Sequence, residues 1–300
     1  MSLFNIGLVL LSSILHSFWN ILTQTSKNSQ YFSGIKGIWI MVIALIAYLY
    51  FGISPLSSEI IFWSILSGIL HGVYIVCLSR AYKNADISYV YPIARSAPVF
   101  VPIFSWMMLD EHLNTSTFVA IGFILIAIYT LHFEGKLIRG FKNLIEAMVH
   151  QDLRWAFYTL AMVISYSLVD KKGMGSFLNP FPDQPFVNGA TFFFIQAVIG
   201  FTLCNMYIFI KNPAKYILQT WREEWFKALI AGIATIGSYG LICVVLQFEA
   251  LSAIVSLRQV SVLIVVYWGC WKLKEPFGSQ RLLAGVMILI GIFFLGSNSN

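Results

Sequence analysis

The chain is dominated by apolar stretches of about twenty residues that are separated by short polar segments. A stretch of this length is what an α-helix needs to cross the hydrocarbon core of a bilayer. Only 11% of the residues are charged, whereas soluble domains carry about a quarter. Ten candidate spans can be placed, at about 3–23, 34–52, 59–79, 86–109, 115–133, 153–170, 187–210, 226–250, 252–271 and 281–295. The sequence therefore predicts an all-α integral membrane protein with ten transmembrane helices.

The distribution of Lys and Arg predicts how these spans are oriented, because cytoplasmic loops of membrane proteins are enriched in both residues. If the amino terminus lies outside, the first cytoplasmic loop carries Lys27 and Lys36, and only Lys171 and Lys172 fall in outer loops. Both termini are therefore expected outside. The net charge of +6 then belongs to cytoplasmic loops, so we expect no nucleic-acid partner. No Lys or Arg precedes Lys27, so the first stretch is expected to be a span and not a cleavable signal.

The longest connection between spans, residues 134–152, has an apolar stripe at helical spacing with basic residues beside it. This pattern is typical of an amphipathic helix that lies on a membrane surface. We expect the segment to be a cytoplasmic amphipathic linker that tethers two units, residues 1–133 and 153–300.

The two units resemble each other in sequence. The third span can be laid over the eighth so that Gly72 pairs with Gly240. The fourth span can be laid over the ninth so that Arg95 pairs with Arg258. A unit of five spans begins and ends on opposite sides of the membrane, so a second copy must be inserted upside down. The sequence thus predicts two inverted five-helix repeats, an arrangement that recurs among transporters.

Several short motifs resemble those of one family. They are LHSFWN at 15–20, YPIARSAP at 91–98, and LRQVSVL, LKEP and RLLAG in the second unit. In order and spacing they are similar to the EamA-type members of the drug/metabolite transporter (DMT) superfamily. The resemblance implies a ten-helix inverted repeat in the inner (plasma) membrane that moves a small metabolite by alternating access, without a cofactor. A branch with these motifs is associated with phosphonate utilisation, which makes small phosphonates one candidate substrate class. Related sequences often carry an acidic residue after the ninth-span arginine, where this chain has Gln259.

Two arginines, Arg95 and Arg258, lie well inside predicted spans. An arginine at the centre of a transmembrane helix costs roughly 2.5–3.5 kcal/mol on insertion scales, so both are expected to face the protein interior or an aqueous cavity. All Asp and Glu residues are expected at span edges or in loops. A bound anion is therefore the natural partner of each arginine, and we interpret both as candidate substrate-binding residues. The alternative is an arginine paired internally that holds helices together.

Three prolines interrupt the fourth span, namely Pro92, Pro98 and Pro102. Proline removes an amide donor and disrupts the preceding helical turn, and such a break inside a membrane is tolerated beside protein or a cavity. We expect these prolines to kink or gate the helix at the level of Arg95. Tyr91 and Ser88 precede Arg95 by four and seven residues, on the same helical face, and are further candidate substrate-binding residues.

The first and third spans carry histidines. His16 and Asn20 lie four residues apart on one face of the first span and are candidate pathway-lining residues. His71 is a candidate proton-coupling residue, since histidine titrates near neutral pH. It lies within a GxxxG spacing, Gly68 to Gly72, for which tight helix packing is the expected role. A histidine that simply makes an internal hydrogen bond is the alternative for both His16 and His71.

Two carboxylates, Glu111 and Glu275, follow the fourth and ninth spans and are expected to be structural or gating residues. No motif for catalysis, metal binding or nucleotide binding is visible, so we expect neither an enzyme nor a metal site. The leading hypothesis is a secondary transporter for a small anionic or zwitterionic metabolite, acting as a monomer or homodimer in the lipid bilayer. The alternatives are a lipid-headgroup flippase, or an exporter of neutral or cationic compounds in which the arginines are structural.

Overall fold

The computed structural model describes residues 1–52, 55–84, 93, 96–112, 114–132, 154–261, 264, 283, 285–291 and 294. Within these residues every extended regular element is an α-helix and no strand occurs. The helices are α1 (Leu3–Gln24), α2 (Ser29–Phe51), α3 (Ser58–Asn84), α4 (Ala97–Leu109), α5 (Thr115–His132), α6 (Arg154–Gly175), α7 (Pro185–Lys211), α8 (Ala214–Leu246) and α9 (Leu251–Leu257). Residues 285–291 are also helical. The all-α fold predicted from the sequence is confirmed for this part of the chain.

Five helices are long and apolar enough to cross a membrane, namely α1, α2, α3, α7 and α8. Shorter apolar segments cover Ala97–Leu109 in α4 and Thr115–Ala127 in α5. α6 has the length of a span, at 22 residues, but its carboxyl-terminal part contains Asp170, Lys171 and Lys172. The predicted linker, residues 134–152, lies outside the described residues.

Local sequence explains where several helices begin and end. The Ser2 hydroxyl caps α1 by accepting a hydrogen bond from the backbone N–H of Asn5 at 3.1 Å. The side chain of Asn28 caps α2 in the same way, accepting from two backbone N–H groups. α2 ends at Gly52, whose φ of +69° is readily adopted by glycine. Proline occupies the first turn of α7, where its missing N–H has no helical partner to lose.

Two boundaries differ from the predicted spans and change the interpretation of charged residues. α8 begins at Ala214, whereas the sequence predicted a loop over 211–225 and a span over 226–250. The helix continues because this segment is polar but rich in good helix formers, which a hydropathy pattern does not register. α2 begins at Ser29 and not at 34, so Lys36 lies two turns inside the helix and not in a loop.

The glycines of the GxxxG spacing join α3 to α7. A Cβ on Gly68 would lie 2.9 Å from the backbone oxygen of Gln196, and a Cβ on Gly200 would lie 3.1 Å from the backbone oxygen of Gly68. Gly72 faces Leu203 and Gly200 at similarly short distances. The tight packing predicted for this spacing is confirmed, and it brings the polar residues of α3 and α7 together.

Candidate functional site

The candidate site is a central polar cluster, defined as His16, Ser67, His71, Asp170, Gln196, Tyr239 and Arg258. It begins where the ninth helical segment is interrupted. α9 ends at Leu257, Arg258 and Gln259 form a turn, and helical geometry resumes at Val260. A turn among buried residues frees backbone carbonyls, which need hydrogen-bond donors inside the protein.

Two serines of α1 contact this turn. The Ser13 hydroxyl lies 3.4 Å from the carbonyl oxygen of Arg258, and the Ser17 hydroxyl lies 2.9 Å from the carbonyl oxygen of Ser261. Both serines are buried. The turn that carries Arg258 is therefore held against the face of α1 that also carries His16.

The guanidinium of Arg258 contacts groups from two other helices. Its Nη2 lies 3.3 Å from Nδ1 of His16, and its Cζ lies 4.9 Å from the centre of the Tyr239 ring. Because a guanidinium only donates, His16 Nδ1 accepts and the neutral ring carries its proton on Nε2. The buried Nε of Arg258 has no hydrogen-bond partner among the described residues. No carboxylate in this part of the chain forms an ion pair with Arg258.

Asp170 is the carboxylate that sequence analysis placed wrongly. It was expected at a span edge, but α6 continues to Gly175 and the Asp170 side chain is 0% exposed. The Ser67 hydroxyl contacts its Oδ1 at 2.5 Å, and the Tyr239 hydroxyl donates to its Oδ2. Gln196 completes this group by contacting the Ser67 hydroxyl. Ser67 is near the middle of the candidate span Ser58–Leu78, so the carboxylate lies level with the centre of α3.

His71 stands one turn after Ser67 and faces the same carboxylate. Its Nδ1 lies 3.0 Å from the backbone oxygen of Ser67, and its Nε2 lies 3.9 Å from Oδ2 of Asp170. The ring stacks on Tyr166, with 4.0 Å between ring centres. The His71 side chain is 19% exposed, whereas that of Asp170 is fully covered. His71 therefore lies between the buried carboxylate and the accessible space beside α3.

Lys36 is a second charged residue that lies deeper than predicted. It is 4% exposed, and its Nζ lies 3.8 Å from the centre of the Trp19 ring, within the range of a cation–π interaction. The edge of Trp19 in turn meets His16, with 4.9 Å between ring centres. The aromatic ring thus separates this buried ammonium from the histidine that contacts Arg258.

The structure brings some of the predicted site residues together and separates others. His16 and Arg258 are in contact, and Asn20 donates to the backbone oxygen of His16 at 2.7 Å. His71 joins the same cluster through Asp170 and Tyr239. Five predicted residues lie outside the described residues, namely Ser88, Tyr91, Pro92, Arg95 and Glu275.

The remaining predicted residues have structural surroundings. Pro98 lies in the first turn of α4, which begins after the non-helical Ser96, whereas Pro102 lies inside the helix. The carboxylate of Glu111 accepts from the backbone N–H of Leu251 at 2.8 Å and so caps α9. Glu111 thus joins the end of the fourth predicted span to a helix of the other predicted unit.

Sequence reasoning missed Asp170 and left Tyr239 uninterpreted. One signal was present, since Tyr166 and Asp170 are four residues apart and share a helical face in the sequence. A second signal was the alignment of Gly72 with Gly240, which also pairs His71 with Tyr239. These two paired residues converge on the same carboxylate.

Comparison with known proteins agrees with this picture. Residues 3–133 match the EamA-like transporter family. The matched segment, called the EamA-like segment below, is less than half of the chain. The matched family is one of membrane transporters of small molecules. Among curated proteins, none matches the chain.

The fold likeness extends beyond the EamA-like segment. One protein of known crystal structure aligns with 99% of this chain and 99% of its own, with a TM-score of 0.71 and 13% identity. The EamA-like segment supplies His16, Ser67 and His71 to the central polar cluster. Asp170, Gln196, Tyr239 and Arg258 come from the rest of the chain. The cluster therefore lies between the EamA-like segment and the remainder.

Proposed function

We propose that the chain is a secondary transporter that moves a small anionic or zwitterionic metabolite across the inner (plasma) membrane by alternating access. The observation that carries the proposal is Arg258, an arginine at a helix break, in contact with His16 and with its Nε unpartnered among the described residues. It belongs to a polar cluster built from helices of both units. A substrate held between two units is what alternating access requires.

The pattern of helix contacts supports two inverted repeats. α3 packs against α6 and α7, and α8 packs against α1 and α2. α4 packs against α6, and α9 packs against α1. Suppose that the first, second, third and fourth spans correspond to the sixth, seventh, eighth and ninth. Each of these contacts then has a counterpart among the others, for example α3 with α7 and α8 with α2. We therefore keep residues 1–133 and 153–300 as the two repeats, with 134–152 as a cytoplasmic linker and both termini outside.

The charges of the cluster favour an anionic or zwitterionic substrate. Asp170 receives hydrogen bonds from Ser67 and Tyr239 and is sealed from the accessible space, whereas the Arg258 guanidinium is half-buried. An unpaired cation in a dry interior is costly, so a carboxylate, phosphate or phosphonate group is the expected partner of Arg258. Small phosphonates remain one candidate class within this set, by the family resemblance alone.

Export of a neutral or cationic compound is the second candidate, because Asp170 puts a carboxylate at mid-membrane depth. The sequence had placed all Asp and Glu residues at span edges or in loops. The Ser67 and Tyr239 hydroxyls contact the two oxygens of Asp170, and its side chain is 0% exposed, so an amine would have to reach a carboxylate that the fold covers. This covering is the reason for ranking the cationic substrate second.

Thermal stabilisation of the detergent-purified protein separates the two candidates. The panel contains small phosphonates, phosphate esters, carboxylates, amino acids and organic amines. A ligand at one hundred times its dissociation constant adds about 2.7 kcal/mol to the free energy of unfolding, which is a measurable shift. We expect anions or zwitterions to stabilise the wild type.

Substitutions assign the effect to residues. Arg258→Gln should abolish the stabilisation, and Arg222→Gln, in the polar part of α8, should leave it intact. Arg95→Gln tests the residue that the repeat alignment pairs with Arg258. Stabilisation by amines that Arg258→Gln leaves unchanged would reject the anionic substrate and favour the second candidate.

A further inference from the structure

We propose that His71 and Asp170 form a proton-binding site, in which the pair carries one exchangeable proton, and that this proton is the coupling ion. The inference rests on the proposed transport function. It goes beyond the sequence hypothesis for His71 because Asp170, Ser67 and Tyr239 define where the proton is held.

The hydrogen-bond pattern favours a proton at this place. His71 Nδ1 lies 3.0 Å from the backbone oxygen of Ser67, which can only accept, so Nδ1 carries a hydrogen. In a neutral ring Nε2 is then an acceptor, and it faces the acceptor Oδ2 of Asp170 at 3.9 Å. Nε2 is buried and has no hydrogen-bond partner among the described residues. Two facing acceptors repel unless one of them is protonated, so a single additional proton resolves the contact.

The remaining hydrogens are already committed. The Tyr239 hydroxyl donates to Oδ2, and the single Ser67 hydroxyl hydrogen can serve either Asp170 or Gln196. The Gln196 amide can present its NH₂ to Ser67, which leaves the hydroxyl hydrogen for Asp170. In that arrangement Oδ2 of Asp170 is the place for the exchangeable proton, where it faces the acceptor Nε2 of His71.

The helices that pack against α6 hold few other charged or titratable groups near the pair. α3 contributes His71, α7 contributes the neutral Gln196, and α4 has no titratable side chain between Ala97 and Leu109. α8 contributes Tyr239 and Cys243, and Arg258 follows α9 on the far side of the Tyr239 ring. On α6 itself Tyr166 stacks on His71.

The neighbouring lysine on α6 does not compete for the carboxylate. Lys171 turns away and donates to the backbone oxygens of Leu246 and Glu249 at 2.9 and 2.8 Å. Its ammonium is thus directed to the carboxyl-terminal end of α8. Among the described residues Arg258 is therefore the permanent cation nearest to the pair.

This arrangement links proton binding to anion binding. The positive charge of the Arg258 guanidinium disfavours a further proton on the nearby His71–Asp170 pair. An anion bound at Arg258 offsets that charge. A bound anion therefore raises the proton affinity of the pair, and by reciprocity a bound proton raises anion affinity. The expected outcome is co-binding and co-transport of anion and proton, with lower pH tightening anion binding by about fivefold or more.

Infrared difference spectroscopy tests the proton site without a substrate. Spectra of the purified protein are recorded between alkaline and acidic pH for the wild type, Asp170→Asn and Glu249→Gln. We expect a carboxyl C=O band that titrates in the wild type and in Glu249→Gln and is missing in Asp170→Asn. His71→Gln, which also serves if Asp170→Asn fails to fold, should shift the midpoint of that band by about one pH unit or more. Identical titrations in all folded variants would overturn the proposal.

A second arm measures coupling and separates the two proposals. The stabilisation of the protein by methylphosphonate is measured across the same pH range in the wild type and in His71→Gln. The proton site is supported if the apparent affinity rises about fivefold or more on acidification in the wild type only. Anion binding with no pH dependence would reject coupling and leave transport standing. A titrating Asp170 band without stabilisation by any anion would reject the transported class and leave the proton site standing.

Discussion

Two helix seams that the proposed repeat would relate to each other contain different chemistry. In the α1–α8 seam, the Ser12 hydroxyl donates to the backbone oxygen of Ser238 at 2.7 Å, and the Ser238 hydroxyl donates to that of Ser12 at 3.1 Å. In the α3–α6 seam, Ser67 faces Asp170 and His71. All of the serine side chains in both seams are 0% exposed.

The difference between the seams separates packing from function. The serine exchange between α1 and α8 uses neutral groups, and each donor has its acceptor, so it can join helices at any ordinary pH. The α3–α6 seam uses a carboxylate and an imidazole whose hydrogen bonds depend on one proton. The α1–α8 seam is therefore a permanent clamp, whereas the α3–α6 seam is an ionisable site.

The largest expected effect comes from removing the carboxylate. Asp170→Leu leaves the hydroxyls of Ser67 and Tyr239 without their acceptor, and each buried unsatisfied group costs about 1–3 kcal/mol. We expect a clear fall in melting temperature in detergent, whereas Asp183→Leu, at an exposed position, should change it little. Equal melting temperatures for the two variants would mean that the Asp170 contacts do not stabilise the fold.

An intermediate effect is expected at the serine seam. In a double-mutant cycle of Ser12→Ala and Ser238→Ala, the coupling free energy should be about 0.6 kcal/mol and at most about 1.7 kcal/mol. Because no ionisable group takes part, the coupling should be the same at acidic and alkaline pH. A coupling free energy that changes with pH would remove the distinction between the two seams.

The smallest effect is expected at the exposed pair of Lys27 and Glu223, whose charged atoms lie 2.9 Å apart. The hydrogen bond that the Lys27 ammonium donates to Glu223 raises the pKa of Lys27 above its ordinary 10.5. Its contribution to stability is therefore present below pH 10.5 and lost as the pH rises through the higher folded pKa. Glu223→Gln should leave the melting temperature near neutral pH almost unchanged. A large fall in the melting temperature of Glu223→Gln would show that this exposed ion pair contributes substantially to stability.

The sequence predicted helices well and their polar contents poorly. Hydropathy located the apolar parts of α1, α3 and α7, because a helix that crosses a bilayer needs about twenty consecutive apolar residues and such a run is visible in the sequence. It misplaced Lys36 and the start of α8, because polar residues that continue a helix do not register in hydropathy. It also misplaced Asp170, since Asp170, Lys171 and Lys172 together look like an exposed edge. Only the packing of α3, α6 and α8 shows that Lys171 turns toward backbone carbonyls while Asp170 turns inward.

The measurement that tests the account most directly is uptake of radiolabelled methylphosphonate into proteoliposomes, with and without a pH gradient. The wild type should take up the anion faster than protein-free vesicles, and an inward proton gradient should increase accumulation. Arg258→Gln should reduce uptake to the level of protein-free vesicles, whereas His71→Gln should remove the response to the gradient. Uptake that is the same in the wild type and in Arg258→Gln would contradict the assignment of Arg258 as the anion anchor.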